Sequence, residues 1–230
     1  QHGLFFAWTK STFRGKPTEF WNQAKKLGDV RFHRYLGEER RKESCSFLFE
    51  QIFTTGKDSD EPILKETWRI DIPGKPMPYH QFDLVSTQTC ATKDALLVKK
   101  YHYGGMAIRG NSQWMAKDKE GKPKGSMLTS EGKTRNNGNH SRPRWVAMYG
   151  PVDGQECGVL VMNHPDNFRY PQWVRLHPSM PYFVFSPMVK EPFSIEPGKP
   201  YVSKFRYLTF DGKPDRKMIE KAWKDWSRKR

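Results

Sequence analysis

Apolar and polar side chains alternate with a period of two along several segments of this 230-residue chain. One such segment places Cys45, Phe47, Phe49, Gln51 and Phe53 on the same side. Successive side chains of a β-strand point to opposite faces, so this alternation is typical of a half-buried strand. Alternation, or a short apolar run between turn residues, recurs in further segments: 64–72, 80–90, 96–103, 144–149, 156–162, 182–185 and 201–210.

Turn residues separate these predicted strands, and helical patterns are scarce. Residues 150–154, Gly-Pro-Val-Asp-Gly, lie between two strands and are typical of a hairpin turn. Apolar side chains recur at helical spacing after Pro214, which predicts a helix over about residues 215–228. A shorter helix is expected over residues 19–27. The sequence therefore predicts an all-β fold, an antiparallel β-sandwich of the jelly-roll or mutarotase-like supersandwich type, with a C-terminal helix.

Composition and charge exclude several classes of protein. The chain carries 40 Lys and Arg against 25 Asp and Glu, a formal net charge of +15. Its aromatic content of 14% argues against a disordered chain. No apolar run approaches the ~20 residues of a membrane-spanning helix, so membrane insertion is not expected. The basic residues are spread out and form no nucleic-acid recognition motif, so an acidic polysaccharide fits this surface better than nucleic acid does.

Several short strings, taken together and in order, resemble a known family. They are Tyr-Gly-Gly at 103–105 with Arg109, Ser-Glu-Gly at 130–132, Trp-Val at 145–146, Tyr-Gly at 149–150, Asp-Gly at 153–154, His-Pro-Asp-Asn at 164–167 with Arg169, and Phe-Arg-Tyr at 205–207. The chain thereby resembles a bacterial family of unknown function labelled "PmoA family protein". That label implies a membrane methane monooxygenase subunit, which the lack of apolar spans contradicts.

The resemblance carries expectations about location, company and extent. It implies a secreted or periplasmic β-rich protein whose relatives occur beside sugar-processing enzymes, especially oxidoreductases acting on glycosides. Because it covers essentially the whole chain, residues 1–230 are expected to form a single β-sandwich domain. In the family a His-rich stretch and further strands come first, so we expect an upstream segment to be missing before Gln1. The apolar residues 4–8 are expected to enter a sheet at once.

The loop at residues 163–178 offers the densest set of candidate functional side chains. His164 precedes a proline, which favours an extended or turn backbone, and its imidazole could serve as an acid or base near neutral pH. Asn167 and Arg169 could hold a hydroxyl or a carboxylate of a substrate. The alternative is that His164 only orders the loop through hydrogen bonds.

Glu131 is the best single candidate for a catalytic carboxylate. It lies in Ser-Glu-Gly, where Gly132 would permit close approach of the backbone to a ligand. The alternative is an exposed loop glutamate. If Glu131 acts in catalysis, Glu131→Gln is expected to abolish turnover with little loss of stability.

A second constellation combines Tyr101, His102, Tyr103 and Arg109. Proton abstraction next to a carbonyl or carboxylate needs a base, a cation for the enolate-like charge and a proton donor, and these residue types supply all three. In an extended strand His102 would point away from the two tyrosines, so either the histidine or the tyrosine pair is expected to face a cleft. The alternative is a set of ordinary strand residues in an aromatic core.

Some tryptophans and histidines are candidates for binding a sugar or a metal ion. Trp8 and Trp145 are candidates for stacking on sugar rings, although most tryptophans of such a chain belong to the core. The seven histidines show no HxH or HxxxH spacing, so no cofactor is predicted. A metal site assembled from distant loops stays open, with His2 as its first candidate ligand.

These observations predict a carbohydrate-active enzyme, a lyase or hydrolase acting on a glycoside or an oxidised glycoside. The alternative is a non-catalytic carbohydrate- or polyanion-binding or assembly protein. The enzyme hypothesis expects Glu131, His164, Arg109 and Arg169 to converge on one pocket, with His164 or Tyr103 as the proton donor. The sequence gives neither the substrate nor the oligomeric state.

Overall fold

The computed structural model describes residues 3–56, 61–74 and 79–228. In these residues sixteen strands precede one α-helix. The strands are β1 Gly3–Ala7, β2 Ser11–Phe13, β3 Lys16–Thr18, β4 Asp29–Arg41, β5 Ser44–Thr54, β6 Pro62–Pro73, β7 Gln81–Cys90, β8 Leu96–Val98, β9 Gly105–Arg109, β10 Ser126–Thr129, β11 Trp145–Val152, β12 Gln155–Asn163, β13 Val174–Leu176, β14 Tyr182–Phe185, β15 Phe193–Ile195 and β16 Tyr201–Asp211. The helix α1 spans Arg216–Ser227.

The strands form three sheets in which every neighbouring pair is antiparallel. Sheet I has the order β1-β9-β14-β13, and sheet III has the order β15-β8-β2-β3. Sheet II has eight strands in the order β10-β11-β12-β16-β7-β6-β5-β4. The all-β prediction and the C-terminal helix are confirmed, and the architecture is that of an antiparallel sandwich.

The main core lies between sheet I and the inner face of sheet II. On sheet I, Phe185 pairs with Met106 and points to the ring of Phe205 on β16, with 5.6 Å between ring centroids. Successive residues of a strand alternate in direction, so Val184 points to the second face of sheet I, where it is buried as well. The candidate site is built on that second face.

A second core lies on the outer face of sheet II, beneath α1. It contains Trp145, Leu160, Met162 and Leu208 of the sheet, with Ile219 and Trp226 of the helix. Asp215 caps the helix, because its carboxylate accepts hydrogen bonds from the backbone amides of Lys217 and Met218 at 2.9 and 3.2 Å. The predicted helix is therefore found within one residue of its expected bounds.

Alternation along the strands predicts five buried side chains, those of Trp145, Val159, Val161, Phe205 and Tyr207. The structure confirms four of them. Trp145, Val161, Phe205 and Tyr207 are each at most 2% exposed. Val159 is only half-buried, because it lies toward the hairpin end of β12, where burial falls off along the strand. The start of the chain enters a sheet as expected, since β1 pairs with β9 from Gly3 onward.

The structure departs from the sequence prediction between residues 16 and 41. The short helix expected over residues 19–27 is only a 3₁₀ turn at Gln23–Lys25. The 13-residue strand β4 was not predicted. Bulges between Phe32 and Arg34 and between Tyr35 and Gly37 break its period-two pattern, and as an edge strand it buries little apolar surface.

Candidate functional site

The face of sheet I that points away from the core carries a row of basic and aromatic side chains. Arg109 of β9 pairs directly with Tyr182 of β14, and Arg175 of β13 pairs with Val184 two residues further on. Small side chains, Ala107 and Val184, lie between them and are buried. The sheet thus forms an apolar layer that is covered by other side chains and edged by two half-buried arginines.

Aromatic rings cover one side of this layer. The Trp21 ring lies 4.9 Å from that of Tyr103 and 5.8 Å from that of Tyr182, centroid to centroid. The Arg109 guanidinium lies over Tyr182 at 5.0 Å from the ring centroid. We call the surface formed by these groups the basic-aromatic face; its residues are Trp21, Tyr101, His102, Tyr103, Arg109, Arg175, His177 and Tyr182.

Residues 101–103 come together on this face because the backbone bends there. The His102 ring centroid lies 4.2 Å from that of Tyr101 and 4.7 Å from that of Tyr103. The expectation that His102 points away from the two tyrosines is wrong, since these residues do not form a strand. Gly105 permits the bend: its φ is +122°, and a Cβ there would lie 2.4 Å from the carbonyl oxygen of Phe185.

A buried carboxylate stands behind the tyrosines. Glu19 is 7% exposed, and its Oε2 accepts a hydrogen bond from Lys25 Nζ at 2.7 Å. The Asn22 amide donates to Glu19 and also reaches the Tyr103 hydroxyl at 3.5 Å. Burial is the largest cause of a raised pKa of Tyr101. Its phenol is protonated at neutral pH, as it would be even at the ordinary tyrosine pKa of about 10. The Glu19–Lys25 ion pair thus positions Asn22, which in turn contacts the Tyr103 hydroxyl, a possible hydrogen-bond donor.

The charges around His102 keep its imidazole neutral. Burial first, and then the positive charges of Arg175, His140 and Lys10, lower the pKa of His102 below its ordinary value. The His140 Nε2 lies 3.0 Å from the backbone oxygen of His102. A neutral imidazole has the lone pair that a base needs to take up a proton from a bound ligand.

Arginine donors on the basic-aromatic face are not fully used by the protein. The Nε–H groups of Arg109 and Arg175 are buried, and in the described part of the chain they find no hydrogen-bond acceptor. Arg135, beside them, likewise has a buried Nε–H without an acceptor among the described residues, while its Nη1 donates to the carbonyl oxygens of His177 and Met180 at 2.6 and 2.7 Å. Because the Nε atoms are buried, Arg109 and Arg175 would meet an anionic ligand through the rest of their half-buried, positively charged guanidinium groups.

His177 marks the far edge of the face and is also neutral. Its Nδ1 accepts hydrogen bonds from the backbone amides of Ser179 and Met180 at 3.2 and 2.8 Å, so that nitrogen carries no proton. Burial, followed by the charges of Arg175, Arg135 and Arg109, lowers the pKa of His177 to about 4.

This pKa predicts a pH dependence of stability. Between about pH 4 and the ordinary histidine pKa of about 6.5, the unfolded chain binds a proton that the folded chain does not. The free energy of unfolding contributed by His177 is complete above this window and falls as the pH is lowered through it. Urea unfolding across the window should show this fall, and His177→Gln should make it shallower. An equal fall in the variant would show that His177 binds protons alike in both states.

Two other sequence-predicted residues, His164 and Glu131, lie on the helix side of sheet II. His164 is 4% exposed, with its ring edge-on to Trp226 at 4.8 Å. Glu131 is exposed in the turn after β10, with its Oε2 3.8 Å from Lys133 Nζ. The neighbouring Ser130 carbonyl binds Arg216, at the opposite end of α1 from Trp226. Those two helix positions are about 15 Å apart along the axis.

The four side chains expected in one pocket are therefore not brought together. Arg109 lies on sheet I, whereas His164 contacts Trp226 of α1 and Glu131 follows Ser130, which contacts Arg216 at the other end of that helix. Arg169 is committed elsewhere, since its guanidinium donates to the carbonyl oxygens of Pro187, Glu191 and Pro192 at 2.8 to 3.0 Å. The prediction of convergence is wrong, because sequence order does not reveal which sheet face a loop joins.

Asn167 is likewise placed in a structural position. Its amide donates to Asn163 Oδ1 at 2.6 Å and to the Lys204 carbonyl at 2.8 Å, and its Oδ1 accepts from the Lys204 amide at 2.7 Å. These bonds tie the 163–169 loop to β16 and engage both ends of the side-chain amide.

Removing this side chain is expected to lower stability rather than ligand affinity. Asn167→Ala removes the partners of Asn163 Oδ1 and of the Lys204 amide, which costs about 1–3 kcal/mol in the free energy of unfolding. Urea denaturation measures this loss, with the exposed Asn136→Ala as the control. A variant of unchanged stability with weakened ligand binding would instead give Asn167 the substrate-binding role.

Both tryptophans considered for sugar stacking are fully buried. Trp8 is 0% exposed, and its Nε1 donates to Gln88 Oε1 at 2.8 Å. Trp145 is also 0% exposed, and its Nε1 donates to Glu220 Oε1 at 3.0 Å. Neither ring has a free face for a sugar in this structure, whereas Trp21 borders the basic-aromatic face.

The possibility of a metal ion was assessed on the described residues. Within residues 3–56, 61–74 and 79–228, no group of three or more His, Cys, Asp or Glu side chains could hold a metal ion. His2, the first candidate ligand, lies outside them.

Sequence reasoning missed Glu19, Arg175, His177 and Tyr182 as parts of one site. Arg175 and Tyr182 meet through the pairing of β13 with β14, His177 directly follows β13, and Glu19 lies in the segment after β3, far from them in sequence. The available signals were local: a glutamate directly before Phe20 and Trp21, and an arginine inside the short apolar strand 174–176.

Comparisons with known proteins place the chain in a family but do not give it an activity. No helix of the described residues is long and apolar enough to cross a membrane. No curated protein matches this chain. A family profile described as "Family of unknown function (DUF6807)" matches residues 1–224. The chain therefore belongs to this uncharacterised family, DUF6807.

Proposed function

We propose that this protein is a carbohydrate-active enzyme of the lyase or hydrolase type, acting on a glycoside or an oxidised glycoside at the basic-aromatic face. The observation that carries the proposal is the contact of the Tyr101, His102 and Tyr103 rings beside the cationic Arg175. A base, proton donors and a cation thus meet on one solvent-facing surface.

These groups suit an elimination. His102, kept neutral by its surroundings, takes the proton from the carbon next to a carbonyl or carboxylate. Arg175 and Arg109 stabilise the negative charge that develops on the oxygen. The electrons of the broken C–H bond form a C=C bond, the glycosidic C–O bond breaks, and Tyr103 or Tyr101 protonates the departing oxygen.

Two features favour elimination of an acidic or oxidised sugar over simple hydrolysis. Glycoside hydrolysis generally uses a pair of carboxyl groups, whereas the Glu19 carboxylate here is occupied by Lys25 and Asn22. The positive charges of the half-buried Arg109 and Arg175 fit an anionic substrate. The resemblance to "PmoA family" proteins supports the same substrate class, and with it a periplasmic or secreted location.

A non-catalytic polyanion-binding or assembly protein is the second candidate. The arginines of the basic-aromatic face are partly exposed on a chain of net charge +15, which favours acidic polysaccharides even without turnover. Such binding would weaken steeply with salt and would leave the ligand unchanged.

A substrate panel separates these functions. The protein is incubated with neutral glycosides, uronic-acid glycosides and the same neutral glycosides after oxidation of one hydroxyl to a ketone. Elimination leaves a C=C bond conjugated to the carbonyl, which absorbs in the ultraviolet, and hydrolysis does not. We expect the ultraviolet signal with the oxidised or acidic members. Binding without any product would favour the second candidate, and neither binding nor product would contradict both.

A further inference from the structure

A second cavity lies away from the basic-aromatic face, between β15 and the start of β16. Its volume is about 530 Å³, within the range of small-molecule sites. Phe168, Phe193 and Tyr201 form its apolar wall, and Asp166, Glu196 and Lys199 stand among its polar lining residues. The proposed function makes no use of this cavity.

The apolar wall is formed before any ligand arrives. The Phe193 and Tyr201 rings stack at 5.5 Å with 23° between their planes, and Phe168 lies 5.1 Å from Phe193. The Trp8 ring packs edge-to-face against both of these rings, with its centroid 5.4 Å from each of theirs. Because these rings already pack against one another, ligand binding does not have to order them. The conformational entropy that a mobile site would lose on binding is therefore not lost here.

Phe168, beside this cavity, is partly open to solvent. It is 40% exposed, and Val202, also part of the lining, is 39% exposed. The Arg169 guanidinium lies over the Phe168 ring, with its central carbon 4.8 Å from the ring centroid. That guanidinium donates hydrogen bonds to three backbone carbonyls, which fix its position. A large ring kept rigid and half-exposed beside a cavity is typical of a ligand-binding surface.

The rim chemistry distinguishes this cavity from the basic-aromatic face. Two carboxylates, Asp166 and Glu196, border it with one lysine, Lys199. Asp166 pairs with Lys204 at 2.6 Å and also lies 3.5 Å from His164 Nδ1, and Glu196 pairs with Lys199 at 2.7 Å. Each carboxylate is thus balanced by a lysine, so the rim presents hydrogen-bonding groups without a net charge and fits a neutral polyhydroxylated ligand.

We propose that this cavity binds a neutral sugar ring of a glycan. The apolar face of the ring packs on Phe168 and Phe193, and its hydroxyl groups donate to Asp166 and Glu196. An apolar molecule would make no use of these polar groups, and an acidic sugar would have to compete with Asp166 and Glu196 for Lys204 and Lys199. The site does not depend on the chemistry proposed for the basic-aromatic face.

Isothermal titration calorimetry with neutral oligosaccharides tests the site. The probes are maltohexaose, cellohexaose, xylohexaose and mannohexaose, with oligogalacturonate as the acidic comparison. We expect at least one neutral probe to bind. Phe168→Ala should weaken its binding about tenfold, which corresponds to about 1.4 kcal/mol, and Asp166→Asn should weaken it as well. Leu36→Ala, an exposed apolar truncation on β4, is the matched control.

The outcomes separate this site from the proposed function. Arg175→Ala, on the basic-aromatic face, should leave the affinity for the neutral probe unchanged, and oligogalacturonate should not compete with it. Absence of binding by all four neutral probes would overturn the proposal. Wild-type affinity in Phe168→Ala, or competition by oligogalacturonate, would overturn it as well, whatever the substrate panel gives.

Discussion

Tyr103→Phe should lower kcat for elimination by at least about 100-fold while leaving the thermal midpoint unchanged. The hydroxyl lies on a half-buried ring between Trp21 and His102, where it can reach a departing glycosidic oxygen. The hydrogen bond from the Asn22 amide to this hydroxyl is long, at 3.5 Å, so its loss costs the fold little. Steady-state kinetics and a thermal melt together measure both quantities.

Matched substitutions control this experiment. Tyr35→Phe removes a hydroxyl from a ring that is 54% exposed on β4, and it should leave kcat unchanged. Tyr101→Phe shows which of the two adjacent phenols protonates the leaving group. Full activity in both the Tyr101 and Tyr103 variants would contradict a tyrosine proton donor.

Trp145→Ala should have the largest effect on stability, about 3–5 kcal/mol in the free energy of unfolding. The ring is 0% exposed between β11 and α1, and it packs with Leu160, Leu208 and Ile219. Its removal opens a cavity and takes away the donor that reaches Glu220. Urea denaturation measures the loss, which should accompany release of α1 from the sheet.

The companion substitution is Phe32→Ala, at an aromatic ring that is 67% exposed on β4. It should change the free energy of unfolding by less than about 1 kcal/mol, because little apolar surface is buried there. Unchanged stability of Trp145→Ala together with weaker carbohydrate binding would reverse the assignment and return Trp145 to the sugar-stacking role considered from the sequence.

The sequence was informative where one face of a strand is buried and the register is regular. β5 and β6 pair residue for residue over most of their length, and their alternation was readable for that reason. β4 was not, because two bulges shift its alternation and most of its side chains are exposed at the sheet edge. Patterning reports burial of one face, so a strand with no strongly buried face gives little signal.

The candidate site was predictable only in part for a different reason. Tyr103, His102 and Arg109 are neighbours in sequence, and their chemistry was recognised from that segment alone. Arg175 joins them only because β13 and β14 extend the sheet beyond β9. Glu131, from a different loop, was grouped with them although its strand β10 belongs to sheet II. Period-two alternation does not encode the order of strands in a sheet.

Ligand binding by two single variants tests most directly whether the basic-aromatic face is the functional surface. Titration calorimetry with an acidic or oxidised glycoside identified in the panel compares Arg175→Ala with Glu131→Gln. Arg175→Ala should weaken binding at least about tenfold, because a charged donor on the face is lost. Glu131→Gln, at an exposed carboxylate near Lys133, should bind as the wild type does. Normal binding by Arg175→Ala with loss of binding in Glu131→Gln would contradict this placement of the site.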